Sequence, residues 1–272
     1  MNDQGEQASR FLELHRPGQP LLMPNAWDAG SAKVLAKLGF EAIATTSSGF
    51  AATLGRLDGS VTREEALAHS ASLVAATELP VSADLENGFG AIPGEVAETA
   101  RGAREAGLAG FSIEDYSGNP DDPIYPLELA AERIEAAVRV AHEGPVRLVL
   151  TARAENLLHG RGDLDDTIAR LLAYQEAGAD VLFAPGLTSA EDIGRVVAAV
   201  ERPVSVLTLP GAPPVSELAG LGVARVSVGG AFAFAALGAL VEAASELRDR
   251  GTYRDRALSK KGIGAARESF SG

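Results

Sequence analysis

Short apolar runs alternate with longer alanine-rich stretches along the chain. Most of the runs carry polar residues only at their C-terminal ends. This pattern is typical of strands that are buried on both faces of a parallel sheet. The eight runs are Pro20–Asn25, Ala42–Ser47, Val81–Glu86, Gly110–Asp115, Arg147–Arg153, Asp180–Pro185, Val204–Thr208 and Arg225–Gly229. They predict eight parallel strands with helices between them.

The stretches between the runs carry helix-boundary signals. Thr62 and Glu65 have the spacing of a capping box, in which the side chain of each residue accepts a hydrogen bond from the backbone amide of the other. Gly39, Gly107 and Gly178 follow predicted helix ends, where a left-handed residue commonly terminates the helix. The predicted helices are Ser31–Leu38, one that follows Thr62, Pro93–Ala106, Pro126–Ala141, Asp165–Ala177 and one from Gly230 to about Arg250.

Successive run ends lie 21 to 39 residues apart, which fits a strand–helix unit of about 30 residues. Eight such units within 272 residues predict an α/β fold, a (β/α)8 TIM barrel, which needs about 250 residues. We expect residues 1–272 to form this single domain, with 231–272 as a C-terminal helical segment. The alternative is a doubly wound open sheet, but no run is polar enough for an exposed edge strand.

The amino-acid composition excludes cysteine-based sites and disfavours nucleic-acid-binding and membrane-spanning proteins. The chain has no cysteine, which excludes disulfides, thiolate zinc sites and a cysteine nucleophile and fits a cytoplasmic location. Its 24 basic and 37 acidic residues give a net charge of −13, which disfavours binding to nucleic acid. The apolar stretch Gly229–Val241 is too short to span a membrane, and the polar N-terminus does not resemble a secretory signal.

Polar residues collect after the second to fifth runs. In a (β/α)8 barrel these strand ends share one face, where active sites form. The candidate residues are Thr46, Ser47, Ser48, Asp58, Asp84, Glu86, Glu114 and Arg153.

The acids among them suggest a metal site. Asp84 and Glu86 alternate along one run, so we expect their carboxylates to share a face, with Glu114 on the neighbouring strand. Crowded carboxylates repel each other unless a cation neutralises them. An all-oxygen set suits Mg2+, or Mn2+, better than Zn2+. The alternative is that these acids pair with arginines or cap helices.

Arg153 is a lone cation beside this group, and its planar fork suits a substrate carboxylate. The alternative is a salt bridge to Glu114 or Glu155. The segment Thr46–Ser48 offers hydroxyls and amides to an anion, although a polar turn is the more common role of such a segment. The four histidines share no metal-ligand spacing, and we interpret His69 and His142 as packing or surface residues.

Four segments together resemble the isocitrate lyase/phosphoenolpyruvate mutase superfamily. They are LLMPNAWDAGSAKVLAKLGFEAIATTSSGFAATLGRLDG, SADLENGFG, GFSIED and LTARAE, and the resemblance covers about residues 18–235. It implies a (β/α)8 barrel whose last helix is exchanged between subunits of a homodimer or homotetramer. It also implies Mg2+-dependent chemistry on small 2-oxo or 2-hydroxy acids through an enolpyruvate-like intermediate, making or breaking C–C or C–P bonds.

The resemblance assigns roles to the candidate residues. It implies that Asp84 binds the metal directly, and that Asp58, Glu86 and Glu114 hold metal-bound waters. It places the substrate beside Thr46, Ser47, Ser48, Asp84 and Arg153. Arg153, Asp58 and Glu114 are accordingly the predicted catalytic residues.

The chain also departs from the family pattern. The lyases carry a Lys-(Lys/Arg)-Cys-Gly-His loop after the fourth strand, and the phosphonate enzymes carry a lysine there. Here the segment Asp115–Tyr125 reads DYSGNPDDPIY. The family's glutamate after strand six is replaced within Ala184-Pro185-Gly186, and its asparagine on strand seven corresponds to Leu207.

The resemblance implies a C–C lyase or decarboxylase that acts on a small 2-oxo acid or its adduct, and these departures predict that it is not a true isocitrate lyase. The alternatives are a C–P hydrolase or phosphonomutase, and a 2-oxo-acid-binding relative with little catalysis. Tyr116, Tyr125 or a metal-bound water could replace the missing cysteine as acid or base, although loop packing is the preferred interpretation of each tyrosine.

Overall fold

A computed structural model describes residues 4–253 and 256–270. Within these ranges the strands are β1 (Leu21–Met23), β2 (Asn25–Ala26), β3 (Ile43–Thr45), β4 (Val81–Asp84), β5 (Gly110–Glu114), β6 (Val149–Arg153), β7 (Val181–Phe183), β8 (Val204–Leu207) and β9 (Arg225–Ser227). The helices are α1 (Gln4–Glu13), α2 (Ala29–Lys37), α3 (Ser47–Thr53), α4 (Arg63–Val74), α5 (Pro93–Glu105), α6 (Leu127–Ala141), α7 (Leu164–Glu176), α8 (Ala190–Ala199), α9 (Val215–Gly220), α10 (Ala231–Arg250) and α11 (Arg256–Phe270).

The strands form one parallel sheet in the order β1-β9-β8-β7-β6-β5-β4-β3-β2. The first apolar run supplies both β1 and β2, which are separated by Pro24. β1 pairs with β9, and β2 pairs with β3. Because proline has no amide hydrogen, it interrupts the ladder at this point. The two halves together serve as one barrel strand, so the (β/α)8 prediction is confirmed and the open-sheet alternative is wrong.

The predicted helix boundaries are largely confirmed. The Thr62–Glu65 capping box is formed at the start of α4. Gly39, Gly107 and Gly178 have φ of 90°, 81° and 98°, as left-handed helix ends require. Helices α1, α3, α8, α9 and α11 were not predicted individually.

The N-terminal end of the barrel is closed by α1. Phe11 on this helix is fully buried and belongs to a cluster with Leu21, Met23, Val149 and Val181 from the strands. A larger apolar cluster lies between the sheet and its surrounding helices. The site must therefore open at the opposite, C-terminal end of the strands.

The C-terminal segment has two parts. In α10 Ala233 is the buried residue, whereas several of its apolar side chains are exposed: Phe232, Phe234, Leu237, Leu240, Val241 and Leu247. Helix α11 contacts α2 of the same chain. Exchange of a helix between subunits therefore stays a prediction. No helix within the described ranges has the length and apolar character needed to cross a bilayer.

Candidate active site

The barrel brings most of the predicted residues to one mouth. Asp84, Glu114 and Arg153 are the last residues of β4, β5 and β6, and Glu114 is the register partner of Arg153. Thr46 to Ser48 follow β3, and Asp58 lies on the exposed loop after α3. A cavity of about 180 Å3 opens here, and Asp58, Asp84 and Arg153 line it.

Arg153 is held by three carboxylates. Its Nη1 lies 2.8 Å from Asp84 Oδ1, and its Nη2 lies 3.0 Å from Glu114 Oε2 and 2.8 Å from Glu155 Oε1. Burial opposes its charge, but Glu155, Glu114 and Asp84 outweigh burial and hold the pKa of Arg153 above its ordinary value. The salt-bridge alternative thus describes the structure, with Asp84 as a further partner. The guanidinium is fixed in orientation at the mouth.

Asp84 connects this ion-pair network to the loop after β3. Its Oδ2 accepts a hydrogen bond from Ser47 Oγ at 3.1 Å, and its backbone amide donates to Thr45 Oγ1 at 2.8 Å. Asp84 therefore contacts both the hydroxyl segment and Arg153, the two groups expected to bind substrate.

Glu86 reaches the cluster by a different route from the one predicted. We expected it to share a strand face with Asp84, but β4 ends at Asp84 and Glu86 has a left-handed φ of 47°. Its carbonyl accepts a hydrogen bond from the Glu114 amide at 3.0 Å. Burial, followed by the charges of Asp84 and Asp58, raises the pKa of Glu86 to about 8. The expected strand alternation is wrong here, whereas the proximity of the acids is correct.

The pKa values of Glu114 and Asp58 are also raised at the mouth. Burial raises the pKa of Glu114, and Glu155, Asp84 and Glu86 add to this against the effect of Arg153. Loss of surrounding water and the charge of Asp84 raise the pKa of Asp58. The mouth therefore holds more carboxyl groups than can be ionised together beside the single guanidinium of Arg153.

The donor set fits a hard divalent cation. No group of three or more histidine, aspartate or glutamate side chains within the described ranges is already arranged to hold a metal ion. Mg2+ usually takes only one or two protein carboxylates and keeps several waters, so it needs no such group. Asp84 lies among the other carboxylates and is therefore suited to be the single direct ligand of such an ion.

The hydroxyl segment forms the start of α3. Thr46 is its N-cap, and its Oγ1 accepts from the Gly49 amide at 3.3 Å. Thr46 Oγ1 and Ser48 Oγ are 3.2 Å apart. A Cβ on Gly49 would lie 2.5 Å from Thr46 Cγ2, so this turn requires glycine. The segment is a capped polar turn whose hydroxyls also line the cavity.

The loop that replaces the family's catalytic loop is anchored by Asp115. Its Oδ2 accepts from Tyr174 OH at 2.6 Å and from Arg170 Nη1 at 3.1 Å, and its Oδ1 accepts from the Glu155 amide at 2.7 Å. Tyr125 lies under the Arg133 guanidinium, 4.1 Å from the ring centre. This contact supports the packing interpretation of Tyr125.

Tyr116 has a different environment. Its ring stacks on His159 at 4.0 Å, with 3° between the planes. His159 Nε2 lies 3.9 Å from Glu155 Oε2. Both rings line a second cavity at the mouth together with Glu86, Glu114 and Glu155. Tyr116 therefore faces the acids and remains a candidate acid or base.

Sequence reasoning missed two buried polar residues, Asn25 and Arg225, and named a third, Glu155, only as an alternative salt-bridge partner of Arg153. Glu155 is only 2% exposed, and its place two residues after Arg153 was the available signal. Asn25 on β2 links the C-terminal ends of β3 and β9, since its Nδ2 donates to Thr45 O and its Oδ1 accepts from the Gly229 amide. Arg225 lines the first cavity. The sequence signal that could have identified it is an arginine at the start of an otherwise apolar run.

Comparisons with known proteins show the family to which this barrel is related. Residues 11–248 match the family model of phosphoenolpyruvate phosphomutase. The 2-methylisocitrate lyase of Halalkalibacterium halodurans is 35% identical over 208 residues, covering 74% of this chain and 67% of that protein.

Two solved structures extend the comparison. A protein of Burkholderia cenocepacia J2315, named provisionally as a lyase/mutase, is 56% identical with a TM-score of 0.89, covering 92% of this chain and 90% of its own. The structure of 2,3-dimethylmalate lyase, a named member of the PEP mutase/isocitrate lyase superfamily, is 28% identical with a TM-score of 0.82, covering 93% of this chain and 90% of its own. Since the family model spans nearly the whole barrel and these relatives share its fold, the chain belongs to the PEP mutase/isocitrate lyase superfamily of lyases and mutases.

Proposed function

We propose that this protein is a Mg2+-dependent enzyme, with Mn2+ as a substitute ion. It acts on a small 2-oxo acid or its adduct through an enolate-like intermediate, as a C–C lyase or decarboxylase. The observation that carries the proposal is the convergence of Arg153, Asp84 and the hydroxyls of Thr46–Ser48 on one cavity beside several crowded carboxyl groups.

The residues divide into two groups by chemistry. Asp84 is the proposed direct metal ligand, and Asp58, Glu86 and Glu114 hold the ion's water shell. When bound, the ion supplies Lewis-acid stabilisation of the oxyanion that develops during bond cleavage.

The substrate's acid end is bound by the chain itself. Thr46, Ser47 and Ser48 bind the substrate carboxylate through the backbone amides and hydroxyls of this segment. Arg153 donates to the 2-oxo oxygen, and its fork is fixed in advance by Glu114 and Glu155. A donor that is already oriented stabilises developing negative charge without reorganising during the reaction.

Proton transfer is the step that the rebuilt loop changes. Asp115 is held by hydrogen bonds from Tyr174 and Arg170, and Tyr125 packs under Arg133, so we assign the proton transfer to neither. Asp58 and Glu114 are the predicted catalytic acids, and Tyr116 faces the same cavity as both. Any of these oxygens could exchange a proton with an enolate carbon held at Arg153.

Two alternatives have specific support. The matched family model is that of a phosphomutase, which favours C–P bond chemistry. The loop without lysine or cysteine favours a 2-oxo-acid-binding relative with little catalysis. Incubation with Mg2+ and separate panels of 2-oxo acids, 2-hydroxy acid adducts and phosphonates, with substrate loss followed by NMR, separates the three.

The metal assignment has its own test. Asp84→Asn should weaken Mg2+ binding in calorimetry at least tenfold, because it removes the one direct anionic ligand. Asp121→Asn, in the exposed loop after β5, is the matched control and should bind Mg2+ as the wild type does. Equal Mg2+ affinity in all three proteins would contradict the assignment.

We also propose that the chain assembles as a homodimer or homotetramer in the cytoplasm. The exposed apolar residues of α10 support the assembly, and the absence of cysteine fits the compartment.

A further inference from the structure

The floor of the first cavity is formed by a buried arginine that has no carboxylate partner. Arg225 is 3% exposed and is the first residue of β9. Its Nε donates to Ser205 Oγ at 2.8 Å, and its Nη1 donates to Thr151 Oγ1 at 3.0 Å. No ion pair to Arg225 exists among the residues that the structure describes. A buried charge without a counter-ion is costly.

Among the described residues, the other ionisable group in contact with Arg225 is His15, and its ring is neutral. His15 Nδ1 lies 2.8 Å from the carbonyl of Phe11, so Nδ1 carries the hydrogen and donates it. The unprotonated Nε2 then faces Arg225 Nη1 at 3.3 Å. The floor therefore presents one net positive charge to the cavity.

Several polar atoms around this charge lack partners. Within residues 4–253 and 256–270, no hydrogen bond is formed by Arg225 Nη2 or by the hydroxyls of Ser82, Ser112 and Ser227. All four residues are buried and all four line the cavity. These four groups are accessible from the cavity, so a polar molecule bound there can supply their hydrogen-bond partners.

Small side chains create the space for that partner. The interior of a (β/α)8 barrel is usually filled by layers of Val, Ile and Leu. Here Ser82, Ser112 and Ser227 line the cavity of about 180 Å3, which also reaches Arg225. This interior is shaped for a polar occupant.

The floor and the mouth belong to one cavity. Thr151, which contacts Arg225, lies two residues before Arg153 on β6, and alternate strand residues are about 6.6 Å apart. The guanidinium carbons of Arg153 and Arg225 lie 5.3 Å and 5.9 Å from the centre of the Phe183 ring. A single small molecule can therefore reach both cations.

We propose that Arg225 and the hydroxyls of Ser82, Ser112 and Ser227 form a carboxylate subsite at the barrel floor. It receives the far carboxylate of a substrate whose 2-oxo-acid end lies at Arg153. A carboxylate matches both the single charge of the floor and the planar fork of arginine. This inference rests on the proposed function for the position of the 2-oxo end.

The test uses acids that differ only at the far end. Calorimetry with Mg2+ compares 2-oxoglutarate with 2-oxovalerate, and oxaloacetate with 2-oxobutyrate. The wild type should bind the diacid of at least one pair about tenfold or more tightly, because a charge-assisted hydrogen bond is gained. Arg225→Met should remove this preference and leave the affinity for the monoacid within about twofold, since Arg153 and Thr46–Ser48 are unchanged.

Two further variants keep the test decisive if Arg225→Met folds poorly. Arg225→Lys keeps the charge and should retain part of the preference. Ser227→Ala removes one hydroxyl and should reduce the preference several-fold. Thermal melting of every variant confirms that the fold is intact.

The outcomes separate the two proposals. Equal binding of monoacid and diacid by the wild type, or a preference that survives Arg225→Met, overturns the floor subsite while the proposed function stands. Failure of every 2-oxo acid to bind the wild type overturns the proposed function as well. Chloride binding that depends on Arg225, without any diacid preference, shows an inorganic anion site and contradicts the substrate role.

Discussion

His15 makes the stability of this barrel depend on pH in a way that can be calculated. The ring lies between α1 and the barrel floor, is 5% exposed, and packs edge-on against Phe11 with ring centres 4.8 Å apart. Burial, followed by the charge of Arg225, lowers the pKa of His15 to about 3. Protonation of Nε2 would place a second cation 3.3 Å from Arg225 Nη1.

The direction in which the stability of the fold changes with pH follows from proton linkage. In the unfolded chain His15 titrates near its ordinary pKa of about 6.5, so between that value and about 3 the unfolded state binds more protons. The stabilisation by neutral His15 is therefore complete above about pH 6.5 and is lost as the pH falls toward 3. Between pH 8 and pH 5 the loss is about 2 kcal/mol for a shift of this size.

Urea unfolding at pH 8 and pH 5, followed by circular dichroism at constant ionic strength, measures this loss. His15→Asn is the reference variant, because its amide can still donate to Phe11 O but does not titrate. The wild type should lose about 2 kcal/mol more than His15→Asn over this interval. The other titrating groups are common to both proteins and cancel. Equal losses, or a larger loss in the variant, would refute the neutral, buried His15.

Three further predictions follow from other parts of the molecule. Tyr174→Phe removes the hydrogen bond to buried Asp115 and should cost about 1.5–3 kcal/mol of unfolding free energy in urea titration, whereas a cost near zero would show that Asp115 is satisfied without it. The chain should release little glyoxylate from isocitrate, and little product from methylisocitrate, in coupled assays. The reason is that the loop Asp115–Tyr125 has no thiol, lysine or arginine, and turnover at rates typical of enzymes would show that another residue protonates the product. Light scattering at micromolar concentration should give a dimer or tetramer, since α10 exposes Leu240 and Val241, and a monomer would contradict the assembly.

The sequence by itself determined the architecture and most of the mouth. Apolar runs with polar ends fix which residues are strands and which strand ends meet, because every parallel strand of a barrel points its C-terminal end to the same face. Helix boundaries followed from local chemistry, as in the Thr62–Glu65 capping box and the left-handed Gly107. Asp84, Glu114 and Arg153 could be placed at the site for this reason, since each is the last residue of its strand.

Only the tertiary structure decided which of these groups touch. Arg153 is bound by Asp84, which is 69 residues away, and Arg225 meets His15 across 210 residues. Glu86 turns into the left-handed region, where strand alternation no longer predicts its direction. Side-chain partners of this kind depend on distances between elements that are remote in sequence, and local pattern carries no information about them. The polar floor of the barrel is therefore visible only once the strands have closed around it.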